Sequence, residues 1–154
     1  LEKLDINELI SEKVKENQLA APHFRFVFNP CDRAWIYGDK ISLGQVLNNL
    51  ISNAVKYSPH GSTITIDCGH LENTIKVSVT DEGIGISEKD QEKVFDKYYR
   101  SVGLLESGRS GIGLGLYLCG EIIRRHNGAI GVSSILGSGT TFYFTIPSIK
   151  QNRA

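Results

Sequence analysis

Apolar residues recur along this chain with two periods, and the switch between them outlines the elements. From Asn7 to about Ala20, Leu9, Ile10 and Val14 fall at helical spacing among charges, which predicts a short amphipathic surface helix ending before Pro22. Phe24, Phe26 and Phe28 alternate with Arg25, Val27 and Asn29, a strand pattern, and Ala34-Trp35-Ile36-Tyr37 is expected to be its neighbour. Asp39, just after Gly38, suits the cap of a long helix running to about Tyr57, stopped by Pro59 and Gly61. Within that helix Leu43, Val46, Leu47, Leu50, Ile51 and Ala54 share one broad face that should rest on a sheet.

Two alternating runs follow, Thr63 to Cys68 and Thr74 to Thr80, expected to form a hairpin through His70 to Asn73. A short helix is expected from about Glu88 to Val94. A longer one from about Gly113 to His126 carries Leu114, Leu118 and Ile122 on one face, with Asn127-Gly128 as a left-handed stop. Strands Ala129 to Ser134 and Thr140 to Ile146 close the pattern, joined by Gly137-Ser138-Gly139. Asp96 to Ser110 is polar, glycine-containing and aperiodic; a loop that long in a compact domain is usually functional or disordered. The predicted class is α+β, a two-layer sandwich with a mostly antiparallel sheet covered on one face by three helices.

Composition narrows the partners. The 154 residues suit a single domain, and 17 basic against 17 acidic side chains give no reason to expect nucleic acid or an anionic membrane. No apolar run approaches the ~20 residues of a membrane span, so a cytoplasmic domain is expected, in a parent protein that can be membrane-anchored. Cys31, Cys68 and Cys119 are far apart in sequence with no C-x-x-C pair, and reduced thiols are expected. There is no methionine and the chain opens Leu1-Glu2-Lys3-Leu4, so it reads as a piece of a longer polypeptide.

Three stretches carry the chemistry. On the long helix, Gln45, Asn49, Asn53 and Lys56 form a stripe opposite the apolar face. A solvated face would favour Glu and Lys, because asparagine is a poor helix former, so this stripe is read as facing a ligand. Amide oxygens suit magnesium beside phosphate, and Lys56 can meet phosphate as a point charge. Next, Asp81-Glu82-Gly83-Ile84-Gly85-Ile86 follows a strand; its glycines allow a sharp turn and the approach of a flat ring, and Asp81 can accept from an exocyclic amine. Finally, Gly111-Ile112-Gly113-Leu114-Gly115-Leu116 opens a helix, exposing backbone N–H groups to an anion. Neither G-x-G-x-x-G after a strand nor a standard P-loop is present. Each stretch alone is also compatible with a solvated face, a plain turn or a hinge. Together they point to ATP, magnesium and phosphoryl transfer.

In these blocks the chain resembles the catalytic ATP-binding domain of sensor histidine kinases, of the GHKL superfamily, over nearly its whole length. Asn49 to Tyr57 is similar to that family's N box, Asp81 to Ile86 to its first glycine box, Val94 to Arg100 to its F box, and Gly111 to Leu116 to its second glycine box. Gly137 to Phe142 resembles its closing glycine-threonine turn. The resemblance implies that Asn53 binds Mg2+ with Asn49 beside it at the phosphates, that Lys56 touches phosphate and that Tyr57 lies against adenine. It implies that Asp81 reads the adenine amine, helped by Thr140 or Thr141. Gly83, Gly85, Ile86, Gly111, Gly113, Leu114, Gly115 and Leu116 would complete the nucleotide pocket. Asp96 to Ser110 would be the lid, with Arg100 at the outer phosphate and Phe95 anchoring the lid's base. Asn49, Lys56 and Arg100 are then the candidate catalytic residues.

Hydrolytic relatives carry a glutamate one turn before the magnesium asparagine; here Asn49 stands there, an amide that cannot take a proton, which favours transfer over hydrolysis. His23, His60, His70 and His126 match no phosphoacceptor block, so the acceptor is expected on an upstream dimerisation hairpin of the same polypeptide, with Leu1 to Leu4 as its last trace and 148–154 a tail. A response regulator would act downstream, and the isolated domain should be a monomer. Two other readings share these residues: a regulatory nucleotide-binding module without catalysis, and a serine kinase of the anti-sigma-factor type.

Overall fold

The computed structural model describes residues 1–99 and 114–150. The predicted Arg100, Gly111 and Gly113, and all of the expected lid from Arg100 on, lie outside the described residues. Strand β1 (Glu2–Asp5) leads into helix α1 (Ile6–Ala20), followed by β2 (Arg25–Asn29), β3 (Trp35–Gly38) and the long helix α2 (Lys40–Tyr57). Then come β4 (Thr63–Leu71), β5 (Thr74–Asp81), the single-turn α3 (Glu88–Gln91), α4 (Gly115–Arg125), β6 (Ala129–Ser134) and β7 (Thr140–Pro147).

Five strands form a mixed sheet in the order β2-β4-β5-β7-β6, with β2 and β4 parallel and the other pairs antiparallel. Period-two patterning gives it two unlike faces. Ile64, Ile66, Ile75, Val77, Val79, Phe142, Phe144 and Ile146 are buried on one, whereas Thr65, Lys76, Ser78, Thr141 and Tyr143 alternate with them. Helix α2 lays Leu43, Val46, Leu47, Leu50, Ile51 and Ala54 on the apolar side, all buried as its periodicity predicts. At roughly 1.5–3 kcal/mol per buried aliphatic side chain, this seam is a main source of the domain's cohesion. Asp39 caps the helix by accepting from the Ser42 N–H at 3.1 Å. The buried His126, just past α4, accepts from the Asp39 N–H at 3.0 Å, so the end of α4 is pinned to the start of α2.

Some expectations are corrected. β3 pairs with β1 in a separate two-stranded ladder, Glu2↔Gly38 to Asp5↔Trp35, and not with β2. Consecutive strands pair only about two-thirds of the time; here β2 is taken by β4, and β1, whose alternation is obscured by Glu2, Lys3 and Asp5, supplies the other partner. Leu4 thus sits in a strand of the domain. The β4–β5 turn is tighter than expected, closing at Leu71↔Thr74 with Glu72 at φ 56°. Ser148 and Ile149 are tied down rather than frayed, donating to the Asn73 and Trp35 carbonyls at 2.9 Å each. Among the described residues no helix is long and apolar enough to cross a membrane.

Candidate functional site

Asp81 ends β5 in the middle of the sheet and is only 7% exposed. One carboxylate oxygen, Oδ1, accepts from the backbone N–H of Gly83 at 2.8 Å and of Thr140 at 3.2 Å. Its other oxygen has no protein donor among the described residues. Burial pushes the Asp81 carboxyl above the ordinary range, and the Gly83 and Thr140 N–H groups oppose that shift. A buried carboxyl held by one oxygen and left open at the other is suited to receive a donor from a ligand.

The turn after Asp81 is built on close backbone approach. A Cβ on Gly83 would come within 2.5 Å of the Tyr57 carbonyl oxygen, so the turn can press against the end of α2 only with glycine there. Gly85 lies against the Ile135 backbone, and Gly137 donates to the Ile84 carbonyl at 2.7 Å. Just before the neighbouring strand β7, Gly139 holds φ +94°, and a Cβ there would meet the Asp81 carbonyl oxygen at 2.2 Å.

Ser134 fastens these turns to one another, and nothing in the sequence pattern singles it out. Its hydroxyl accepts from Ile86 N–H at 2.7 Å, donates to the Gly139 carbonyl at 2.7 Å and lies 2.9 Å from Thr140 Oγ1. Gln91 adds donors to the Ile86 and Ser134 carbonyls. Only tertiary packing brings these groups together, because Ile86 and Ser134 are 48 residues apart. Of the two threonines, Thr140 shares Asp81's face of the sheet. Thr141 points the other way and pairs with Thr80 at 2.9 Å.

The other end of the site is made of side chains. Asn49 and Asn53 stand one turn apart on α2, both half-buried, and Asn53 makes no side-chain hydrogen bond among the described residues. Asn49 Nδ2 donates to the buried Cys119 Sγ on α4 at 3.7 Å. That thiol, pushed up to about 11 by burial, stays protonated near neutral pH and can accept through sulfur. The Asn49 amide oxygen lies 3.9 Å from where a Gly115 Cβ would sit, so the stripe on α2 faces the first turn of α4.

That helix begins at Gly115 with Leu114 in the cap position and no side-chain cap among the described residues; Leu116 packs on the core. Lys56 Nζ lies 5.4 Å from the Tyr57 ring centroid. Phe95 meets Phe142 edge-on at 6.0 Å, an anchoring contact, and Lys97 lies within 5.9 Å of the Tyr117 ring on α4.

A buried acceptor, a glycine-walled turn, paired amides with a lysine, and an uncapped helix start therefore line one end of the helical layer. Comparisons with known proteins identify the family. The sequence profile of the family described as histidine kinase-, DNA gyrase B-, and HSP90-like ATPase matches residues 38–150. Sensor histidine kinase WalK of Bacillus subtilis is 45% identical over 81% of this chain and 21% of its own length. Sensor-like histidine kinase SenX3 of Mycolicibacterium smegmatis is 34% identical over 96% of this chain and 39% of its own. The chain thus spans between about a fifth and two-fifths of these relatives. Among solved structures, the mycobacterial sensor histidine kinase MprB superposes with a TM-score of 0.83 at 25% identity, covering 95% and 96% of the two chains. The nucleotide-free catalytic domain of histidine kinase ThkA gives 0.80 at 28% identity, covering 96% and 97%. Sequence and fold show that the chain belongs to the histidine kinase-, DNA gyrase B- and HSP90-like ATPase family, as a sensor-histidine-kinase catalytic ATP-binding domain.

Proposed function

We propose that this domain binds Mg-ATP and passes the γ-phosphoryl group to a histidine on a dimerisation hairpin of the same polypeptide, from which a response regulator receives it. The observation that carries the reading is Asp81: a buried carboxyl with one oxygen fixed by two backbone donors and the other open. Its open oxygen accepts the exocyclic amine of adenine, with Thr140 rather than Thr141 beside it and Tyr57 against the ring. Full-length ShkA, a solved structure in complex with AMPPNP, shares the fold with a TM-score of 0.78 at 25% identity, over 96% of this chain and 31% of that one, which supports a nucleotide in this place.

The donor set also fits a magnesium ion. Asn49 and Asn53 offer hard amide oxygens one turn apart, and the Asn53 amide has no competing protein partner among the described residues. When bound, the ion neutralises phosphate charge. Lys56 adds a point charge at the phosphates, and the N–H groups of the first turn of α4 donate to a phosphate oxygen at the positive end of the helix dipole. Asn49 cannot act as a base, so this position cannot take a proton from water, which favours a nucleophile that needs no deprotonation, as neutral imidazole does. Phosphoryl transfer needs mainly alignment and charge stabilisation, which these groups supply. Arg100 is the further candidate for the outer phosphate.

The test is chemical. The domain, incubated with γ-labelled Mg-ATP and the upstream hairpin, should yield a phosphoprotein that is acid-labile and base-stable. Acid-stable label would mean serine as the acceptor. Nucleotide binding without any labelled protein would mean a regulatory module.

A further inference from the structure

Far from the nucleotide end, the fold brings together two cysteines that the sequence spaces 37 residues apart. Cys31 follows the edge strand β2, and Cys68 lies in β4, its parallel neighbour. The register ends at Asn29↔Asp67, so the chain leaving β2 runs alongside Cys68. The two Sγ atoms are 2.9 Å apart, within about 1 Å of the ~2.05 Å bonded separation, and both thiols are free. Cys119, the third, is buried elsewhere in the core.

We propose that Cys31 and Cys68 are a thiol–disulfide switch that closes reversibly in response to small-molecule disulfides. The roles of the two sulfurs differ. Cys31 is half-buried, on a loop, and is the more exposed residue of the pair. Cys68 is buried, and burial together with the hydrogen bond to Cys31 pushes its thiol well above the ordinary range, so it is a poor first nucleophile. The Cys31 thiolate attacks one sulfur of the oxidant RSSR, forming Cys31–S–S–R and releasing RS−. The Cys68 sulfur then attacks the Cys31 sulfur, the S–SR bond breaks, and a second RS− departs. The two thiol protons end on the two released thiols, so one RSSR is reduced to two RSH as one intrachain disulfide forms.

What the bridge would hold is defined. Asn7, in the first turn of α1, exchanges two hydrogen bonds with the backbone of Cys31, and Ile6 donates to the Ala34 carbonyl at 2.8 Å. Closing the disulfide therefore staples the start of α1 and the edge strand to β4. β2 has a neighbour on one side only, so it is the strand with most to gain from a cross-link.

The experiment is oxidation of the chain with oxidised glutathione, read by thiol titration, intact mass and peptide mapping. The expected result is loss of two of the three thiols and of two hydrogens' mass, with one disulfide mapped to Cys31–Cys68 and full reversal by dithiothreitol. The thermal midpoint should rise by roughly 5–10 °C on oxidation. Cys31→Ser and Cys68→Ala should each abolish both effects while keeping the reduced protein's circular dichroism. A lasting glutathione adduct on Cys31, a covalent dimer, three persistent thiols or an unmoved midpoint would each overturn the proposal. None of these readouts depends on the nucleotide-site reading.

Discussion

The two ends of the candidate site are built from different materials. Around Asp81 the walls are backbone: Gly83 presses on the Tyr57 carbonyl, Gly139 on the Asp81 carbonyl, and Ser134 links Ile86, Gly139 and Thr140. Around Asn49 and Asn53 the walls are side chains, with one amide resting on a thiol and the other unpartnered among the described residues. The first end has a single shape and suits a rigid base. The second, in the proposed function, would adjust to the ion and phosphates, at the cost of remaining under-satisfied without them. Mutations of the backbone walls at the first end should therefore act on stability, and mutations of the amides at the second on ligand affinity.

Gly139→Ala tests this most severely. The new Cβ meets the Asp81 carbonyl oxygen at 2.2 Å with φ at +94°, so about 3 kcal/mol of stability and roughly 10 °C of thermal midpoint should be lost without any ligand. A midpoint within a degree or two of wild type would show that the base end yields as readily as the phosphate end.

Asp81→Asn separates recognition from stability at the same end. Adenine-nucleotide affinity should fall by about 1–3 kcal/mol, and affinity for guanine nucleotides much less. The stability effect has the opposite sign. Burial raises the folded-state pKa above 3.8, so wild-type protein loses stability as pH climbs from that value through the folded pKa. The variant does not titrate there. Its unliganded midpoint should match or exceed wild type at pH 7, and any advantage should shrink as melts are run into the acid range.

Asn53→Ala should lower Mg-ATP affinity about tenfold, roughly 1.4 kcal/mol, and leave the unliganded midpoint unmoved. Calorimetry with and without magnesium checks it, since equal losses in both would place Asn53 at the phosphates and not at the ion. The smallest effect is expected from Cys119→Val, which removes the acceptor of the Asn49 amide while roughly conserving volume. Phosphotransfer should slow a few-fold with nucleotide affinity nearly constant. An equal change in both would make Cys119 a packing residue only.

Much of the site was legible beforehand because its residues break local rules. Asparagines in mid-helix lower helix propensity, and glycines beside an acidic residue end a strand early, so both announce a constraint from outside their own element. Ser134 and Gln91 break no rule where they stand, and no local pattern could mark them as fasteners of two distant turns. The choice between Thr140 and Thr141 is likewise a matter of pleat and register, which pair Asp81 with Thr140 and Thr80 with Thr141.

Periodicity alone determined the helices, most strands and the α+β class, since each amphipathic element carries its own record of which face must leave water. The partner of β3, the parallel β2–β4 edge and the meeting of Cys31 with Cys68 were decided only in three dimensions. Backbone hydrogen bonding is indifferent to residue identity, so which strands pair, and which side chains that pairing brings together, emerges from how the whole chain closes around its core.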